Sequence, residues 1–206
     1  MTESRICQVQ KSEWQLRICE VGWYNSRKGK ASDRHRDGKM NHVIFLDIDG
    51  VLNSNAWNEA HQSEISSGTL IDPEKVTLLS ELVKRTNAGI ILHSGWKHWF
   101  TGELEPLRKE AEILRAMLEK EALSIAGITP DHSTEEIRKT KKFSMVKSGE
   151  IIAYLKQHQD VTHWIVIDDL DLHHAEIERH QVKTDPDQGL TAEDVRRAEK
   201  LLLGTS

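Results

Sequence analysis

Residues 43–54 read VIFLDIDGVLNS, and they constrain the fold more than any other segment of the chain. Their first four residues are apolar and run directly into Asp47 and Asp49. An unbroken apolar run of this kind is typical of a strand that is buried on both faces. Alternate residues of a strand share a face, so Asp47 and Asp49 point together if the extended geometry persists. Two carboxylates that close repel each other, and the pair therefore implies a bound cation or a retained proton.

Strand patterns alternate with helix patterns from this segment to the end of the chain. Asp72 and Pro73 form a helix start, with Asp72 as the N-cap and Pro73 as the first helical residue. The predicted strands cover residues 43–46, 88–92, 123–128, 164–167 and 181–183. The predicted helices cover residues 73–85, 103–121, 145–157 and 191–203. Such alternation indicates an α/β fold in which helices cover both faces of a parallel sheet.

Three of the predicted strands end in polar side chains. These side chains are Asp47 and Asp49 after the first strand, Ser94 after the second, and Asp168 and Asp169 after the fourth. Ligands of open α/β sheets bind outside the carboxyl ends of the strands, so we expect these groups to meet in one crevice. Carboxylate oxygens favour a hard divalent cation, and Mg²⁺ is the cation we expect. A magnesium site beside a spare carboxylate, a hydroxyl and a lysine has the groups that phosphoryl transfer needs.

The overall composition argues against several other classes of protein. No apolar run is long enough for a membrane-spanning helix, and the N-terminus does not resemble a secretion signal, so we expect a cytoplasmic protein. Residues 1–40 carry 9 Lys and Arg against 5 Asp and Glu, whereas the whole chain carries 28 against 33. The body of the chain is therefore acidic, which is not typical of a general nucleic-acid binder. Cys7 and Cys19 match no metal motif and make no disulfide framework.

Residues 1–40 differ from the rest of the chain. They show no sustained apolar period, and residues 26–40 are almost wholly polar. Such a composition buries too little apolar surface to offset the entropy lost on ordering. We therefore predict a poorly ordered extension over 1–40 and a folded domain over 41–206. Two alternatives stay open, namely a natural start at Met40 and a short added strand or helix built on the apolar residues between 14 and 23.

In these motifs the chain resembles the haloacid dehalogenase (HAD) superfamily of phosphotransferases. FLDIDGVLN resembles the first family motif, IILHS the second, which ends at Ser94, and WIVIDD the fourth. The third family motif is a basic residue at the start of a helix, and its best match is Lys147 in KSGEIIAYL. Arg138, Lys141 and Lys142 lie nearby and remain alternatives. The resemblance implies a Rossmann-like three-layer sandwich with a central parallel sheet, and a magnesium-dependent phosphatase.

The resemblance also implies a role for each residue at the strand ends. The implied magnesium ligands are Asp47, Asp49, Asp168 and Asp169. Asp47 would also be the nucleophile and would form an aspartyl-phosphate. Asp49 would protonate the leaving oxygen and then activate water, and its backbone carbonyl would contact the metal. Ser94 and Lys147 would bind the phosphoryl oxygens.

Within the superfamily, the chain is most similar to the HAD-type domain of Swiss Army Knife RNA repair proteins. The shared elements are LDIDGVLN, SGWK, VIDDLD and TDPDQGLT, which together span the body of the chain. The family description implies the ends of RNA or DNA as substrates. The intervals from Asp49 to Ser94 and from Ser94 to Lys147 are each too short for a full cap domain. We therefore expect an open site, suited to a large substrate or to a lid that a partner supplies.

Two functions of other kinds use the same residue types. A receiver domain also gathers a phosphorylated Asp, an acidic pair, a hydroxyl and a lysine around Mg²⁺, but its acidic pair comes first in the chain. A non-catalytic protein that binds phosphate or metal through a decayed site is the second. No expected group is missing from this sequence, so the hydrolase is the better interpretation.

For some neighbouring residues, the sequence is consistent with either a structural or a functional role. Residues 171–174, which read DLHH, either hold a transition metal or form an exposed polar loop. Trp96 and Trp99 either line the substrate entrance or pack against the following helix. His93, at the end of the second strand, is equally open.

Overall fold

Five parallel strands form a single sheet in the computed structural model, which describes residues 40–135 and 143–204. The strands are β1 (His42–Leu46), β2 (Gly89–Leu92), β3 (Ile125–Ile128), β4 (His163–Asp168) and β5 (Gln181–Lys183). Their spatial order is β3-β2-β1-β4-β5, so the strand that leads into Asp47 lies at the centre of the sheet. The predicted α/β fold is confirmed. The predictions for residues 1–39, and for the basic residues between 136 and 142, lie outside the described residues.

Helices pack on both faces of the sheet and complete a Rossmann-like three-layer sandwich. They are α1 (Asn55–Ala60), α2 (Gln62–Ser66), α3 (Pro73–Thr86), a 3₁₀ helix (Gly95–Trp99), α4 (Lys109–Lys120), α5 (Phe143–Gln157), α6 (Ala175–Glu178) and α7 (Ala192–Leu203). Asp72 caps α3 as predicted, because its Oδ1 accepts a hydrogen bond from the amide of Glu74. The interval between Asp49 and Ser94 holds α1 to α3 rather than a cap domain. Within the described part of the chain, no helix has the length and apolar character needed to cross a membrane.

The helix predicted over residues 103–121 is shorter than expected, because it begins only at Lys109. Proline has no amide hydrogen and disfavours a helical conformation in the residue before it, so Pro106 opposes a helix that begins at residue 103 and runs through it. Residues 100–107 form a turn instead, in which Phe100 bridges Pro106 and Leu104 adopts a positive φ of 64°. The other predicted bounds agree with the structure to within two residues.

Two hydrophobic layers, one on each face of the sheet, decide where the side chains at the strand ends point. Leu46 of β1 lies in the layer that contains residues of α3, α4 and α7. Phe45 of β1, Ile91 of β2 and Val166 of β4 lie in the opposite layer, with residues of α5 and α6. Because side chains alternate along a strand, the residues two positions further on share the α5 side of the sheet. Those residues are Asp47, His93 and Asp168.

Candidate active site

The carboxyl ends of β1, β2 and β4 meet at one edge of the sheet. Leu46 lies beside Leu92 on one side and beside Ile167 on the other. The backbone ladder continues one step further, since the amide of Asp47 donates to Ile167 O at 3.0 Å and the amide of His93 donates to Leu46 O at 2.8 Å. The side chains that leave this edge toward α5 are therefore brought together by strand register.

Lys147 reaches this edge from α5, the helix that faces it. Its Nζ donates hydrogen bonds to Asp47 Oδ2 at 2.8 Å and to Asp168 Oδ2 at 2.7 Å. Burial alone would lower the pKa of Lys147, but the charges of Asp47 and Asp168 outweigh that effect and raise the pKa above its ordinary value. Lys147 is therefore a charged group that holds two of the predicted site carboxylates together.

Three carboxylates form a group that can hold a metal ion. One oxygen from each of Asp47, Asp168 and Asp169 lies within 4.8 Å of the others. Burial, and then the charge of Asp47, raise the pKa of Asp168 to about 7 although Lys147 opposes the shift. The same two causes raise the pKa of Asp169. Negative charge thus exceeds what Lys147 compensates, and three carboxylate oxygens are the donor set that a hard cation such as Mg²⁺ takes.

Asp49 lies outside this group of three, and the condition for Asp47 and Asp49 to point together, an extended backbone through Asp49, is not met. The chain turns after Ile48, so the extended geometry does not persist to Asp49. The side chain of Asp49 is exposed, and its two oxygens accept separate hydrogen bonds. Asn53 Nδ2 donates to Oδ1 at 3.0 Å, and Trp96 Nε1 donates to Oδ2 at 3.1 Å. A role for Asp49 as a metal ligand stays a prediction that concerns its backbone carbonyl.

A cavity of about 720 Å³ opens over these groups. Its lining includes five of the six predicted site residues, namely Asp47, Asp49, Ser94, Lys147 and Asp169. Asp168, the sixth, is fully buried beneath Lys147. Apolar side chains form another part of the wall, and these are Phe143, Val146 and Leu170. The charged groups are therefore gathered on one side of a pocket that also offers apolar contact.

Residues 43–195 match the model of a protein family described as the HAD domain in Swiss Army Knife RNA repair proteins. The chain belongs to this family. The match covers most of the described domain and includes every element from β1 to β5. Searches of the curated proteins and of the solved structures gave no match. The resemblance inferred from the motifs is thus confirmed, and HAD membership indicates a hydrolase of the phosphatase type.

The glycine of the first HAD motif is required by its close approach to the fourth motif. Gly50 has a positive φ of 73°, and a Cβ atom built on it would lie 2.7 Å from Cγ of Asp169. Any other residue would push Asp169 away from the group of three carboxylates. The late segment TDPDQGLT supports the same turn, because Thr184 Oγ1 donates to Gly50 O at 2.8 Å and the amide of Leu190 donates to Val51 O at 2.8 Å.

The second HAD motif leads into a buried ion pair that the sequence did not reveal. Ser94 is buried and caps the 3₁₀ helix, with its Oγ accepting from the amide of Trp96 at 3.3 Å. Lys97, three residues later, donates through Nζ to Glu150 Oε2 at 2.6 Å and to Pro130 O at 2.9 Å. Glu150 lies on α5, three residues after Lys147, and so on the same side of the helix. The ion pair therefore fixes α5, and with it Lys147, against the end of the sheet.

His93 and residues 171–174 have different outcomes. His93 is fully buried and lines the cavity, and burial together with the charges of Lys147 and Lys97 lowers its pKa well below the ordinary value. It is therefore a neutral residue of the cavity floor.

Within the part of the chain that the structure describes, the one group of three or more candidate metal ligands is the carboxylate group above. The transition-metal site considered for residues 171–174 is not found, and Asp171 and His173 pair with each other on the surface.

The two tryptophans after the second HAD motif pack together instead of lining the cavity. Trp96 is only 3% exposed, and its ring centroid lies 4.4 Å from that of Trp99. The guanidinium group of Arg108 covers the ring of Trp99 at 4.5 Å from the centroid. These contacts hold the Trp96 indole in a fixed position, and its N–H faces Asp49.

Proposed function

We propose that this chain is a magnesium-dependent phosphomonoester hydrolase that acts through an aspartyl-phosphate on Asp47. The observation that carries the proposal is the contact of one lysine with two carboxylates. Lys147 Nζ lies 2.8 Å from Asp47 Oδ2 and 2.7 Å from Asp168 Oδ2. A phosphoryl group that approaches Asp47 would meet a positive charge at the same point, which is what its anionic oxygens require.

In the first half of the proposed reaction, a carboxylate oxygen of Asp47 attacks phosphorus. The bond between phosphorus and the leaving oxygen breaks, and the proton of the Asp49 carboxyl passes to that oxygen. Lys147 transfers its hydrogen bonds from the carboxylates to the phosphoryl oxygens, and the hydroxyl of Ser94 donates to them from the end of the neighbouring strand β2. The products are an alcohol and a phosphorylated Asp47.

In the second half, Asp49 removes a proton from water, and the water oxygen attacks phosphorus. The acyl-phosphate bond breaks, inorganic phosphate leaves and Asp47 is regenerated. Mg²⁺ would be held by Asp47, Asp168, Asp169 and the backbone carbonyl of Asp49, and when bound it would neutralise charge on the phosphoryl oxygens. The donor set described above fits this ion, because it consists of carboxylate oxygens with excess negative charge.

The cavity and the description of the family support a choice of substrate class. A volume of about 720 Å³ lies within the range of pockets that enclose a small organic molecule. Phe143 and Leu170, at 41% and 38% exposure, offer apolar surface to a leaving group beside the reaction centre. We therefore expect an ester whose leaving group has an apolar or aromatic part. The description of the family as RNA repair proteins makes the terminal phosphate of RNA or DNA the first candidate.

The test is a screen for phosphate release from phosphorylated metabolites, aryl phosphates and oligonucleotides that carry a 3′- or a 5′-phosphate. Each ester is incubated with Mg²⁺, with a chelator, and with the Asp47→Asn variant. Release that requires both Mg²⁺ and Asp47 is the expected result, and the rank order of the esters then identifies the leaving group. Equal release in the chelator, or release by Asp47→Asn at the wild-type rate, would overturn the proposed mechanism.

A further inference from the structure

The carboxyl group of Asp49 is held on both sides by neutral N–H donors. Asn53 Nδ2 donates to its Oδ1 at 3.0 Å, and Trp96 Nε1 donates to its Oδ2 at 3.1 Å. Asp49 itself is exposed, so without these bonds its side chain would be free to rotate in solvent. Both donors are anchored in turn, since Asn53 and Trp96 are buried and Asn53 Oδ1 accepts from the amide of Gly50 at 2.9 Å.

Trp96 also links the proton-transfer group to the phosphate-binding group. Its amide donates to Ser94 Oγ at 3.3 Å while its indole donates to Asp49 Oδ2, so one residue contacts both. The indole packs against Trp99, and the guanidinium group of Arg108 in turn contacts the ring of Trp99. A rigid aromatic side chain held in this way fixes the distance between the two groups.

We propose that Trp96, together with Asn53, positions the carboxyl group of Asp49 for proton transfer to the leaving oxygen. This proposal rests on the proposed function. Trp96 is a positioning residue, because it acts through Asp49 and does not touch the reacting atoms. As the bond between phosphorus and the leaving oxygen breaks, the O–H bond of Asp49 breaks with it and the proton moves to that oxygen. The electron pair stays on Asp49, and the two N–H donors then stabilise the carboxylate that remains.

A purely structural role for Trp96 makes a different prediction. A buried tryptophan needs an acceptor for its N–H, and Asp49 could serve only that purpose. Loss of the hydrogen bond between Trp96 and Asp49 would then lower kcat/KM for every substrate by the same factor. A positioning role affects only the step in which a proton is transferred, so the loss depends on how much the leaving group needs protonation.

The experiment compares Trp96→Phe with Trp99→Phe, each alone and in the Asp49→Asn background. The substrates are p-nitrophenyl phosphate, whose leaving group needs little protonation, and an aryl-alkyl phosphate such as phenethyl phosphate, whose leaving group needs it fully. We expect Trp96→Phe to lower kcat/KM for the alkyl ester by about 10- to 100-fold, as for other small misplacements of a reacting group. We expect kcat/KM for the nitrophenyl ester to change by no more than about 3-fold, since its leaving group requires little proton transfer. Trp99→Phe keeps an aromatic ring against Trp96 and leaves the indole N–H that bonds to Asp49, so as the packing control it should change kcat/KM for both esters by one common factor.

In the Asp49→Asn background, Trp96→Phe should not change kcat/KM further, because the Asn side chain has no acidic proton to transfer. A uniform loss on both esters, or a full additional loss in that background, would overturn the positioning role. Absence of turnover by the wild-type chain on every ester would instead count against the proposed function, from which this role follows. The hydrogen bond is checked separately by ¹⁵N labelling of the indoles. Asp49→Ala should shift the Trp96 indole N–H resonance and speed its exchange with solvent, and an unchanged Trp96 resonance would remove the basis of the proposal.

Discussion

Lys147 Nζ and Asp47 Oδ2 lie 2.8 Å apart although 100 residues separate them in the sequence. The contact joins the first motif, at the end of the central strand, to the helix on one face of the sheet. It forms because Asp47 continues the side of β1 that packs on α5, and because the buried Lys97–Glu150 pair holds that helix at the sheet edge. The position of one helix therefore decides whether Asp47 has a cation beside it.

Replacing Lys147 with Met should remove most of the phosphatase activity. The loss of one donor to developing charge costs about 10²–10³-fold in comparable sites, and we expect a loss of that size in kcat. Lys147→Arg keeps the charge and should retain more activity than Lys147→Met, although its planar fork does not reproduce the geometry of an ammonium group. The measurement is the rate of p-nitrophenyl phosphate hydrolysis with saturating Mg²⁺. Activity of Lys147→Met close to that of the wild type would assign the third motif to a basic residue between 136 and 142.

Between about pH 4 and pH 7, Asp168 should lower the stability of the metal-free protein as the pH rises, whereas His93, whose pKa is lowered by burial, acts in the opposite direction. The pKa of Asp168 is raised from 3.8 to about 7 by burial and by Asp47, so in this window the folded state binds more protons than the unfolded state. Stability then decreases with pH, by at most about 1.4 kcal/mol per pH unit for one group. Chemical denaturation in a chelator at a series of pH values measures the slope. Asp168→Asn should remove the decrease that Asp168 contributes, so the slope should be less negative than that of the wild type.

Mg²⁺ should oppose this loss, because a bound cation favours the ionised carboxylates. The stabilisation by a fixed concentration of Mg²⁺ should therefore be larger at pH 8 than at pH 5. If the slope of stability against pH in a chelator were no more negative for the wild type than for Asp168→Asn, the raised pKa of Asp168 would be contradicted.

The sequence predicted the strand ends well, because the signals there are local. An apolar run followed by acids identifies Asp47 and Asp168 without any knowledge of tertiary contacts, and the side on which they point follows from a period of two. The helix starts are equally local, since Asp72 caps α3 as predicted and Thr191 forms a capping box at the start of α7. The choice of Lys147 from several basic residues rested on spacing alone, and the structure brings Lys147 to Asp47.

The contacts between distant segments could not be predicted from the sequence. Glu150 and Lys97 are 53 residues apart, and neither belongs to a pattern that requires a partner. The direction of the Asp49 side chain could not be predicted, because the period of two holds only while the backbone stays extended and the Asp-Gly pair at 49–50 signals a turn. The indole N–H of Trp96 donates to Asp49 at this turn. Whether a side chain can orient a reactive group depends on its shape and on its distance from that group. Both are determined only in the folded structure, where distant segments meet.

Breaking the Lys97–Glu150 pair should destabilise the protein strongly. Lys97 Nζ and Glu150 Oε2 are 2.6 Å apart, with side chains that are 6% and 4% exposed. Lys97→Met leaves a buried carboxylate without its cation, which costs about 3–5 kcal/mol in comparable cases. The double variant Lys97→Met/Glu150→Leu should recover much of this loss, because no unpaired charge remains. Urea denaturation of the single and double variants gives both values.

An exposed ion pair provides the control for this experiment. Arg115 and Glu105 are 2.8 Å apart but are 41% and 68% exposed, so Arg115→Met should change the stability by at most about 1 kcal/mol. If Lys97→Met were no worse than Arg115→Met, the pair would not be what fixes α5. A double variant as unstable as the sum of its two single variants would lead to the same conclusion.

Replacing Asp47 or Asp49 with Asn should reduce the phosphatase activity to different extents. Asp47→Asn removes the attacking carboxylate, so no acyl-phosphate can form and turnover should vanish. Asp49→Asn keeps the nucleophile and removes the proton carrier, a contribution that is typically about 10²–10⁴-fold. This variant should therefore be slow but active, and the deficit should be smaller for nitrophenyl phosphate than for an alkyl phosphate.

Quench-flow with labelled substrate distinguishes the two variants directly. In Asp49→Asn, hydrolysis of the intermediate is slowed because no base activates water, so phosphorylated protein should accumulate on a substrate with a good leaving group. In Asp47→Asn the label should never appear on the protein. Equal labelling of Asp47→Asn and the wild type would refute the assignment of the nucleophile.

The different positions of the Asp47 and Asp49 side chains agree with their different proposed roles. Asp47 is buried beside Lys147, where a phosphorylated carboxylate would be held, whereas Asp49 is exposed between Trp96 and Asn53, where a proton can pass between the leaving oxygen, the carboxyl group and water.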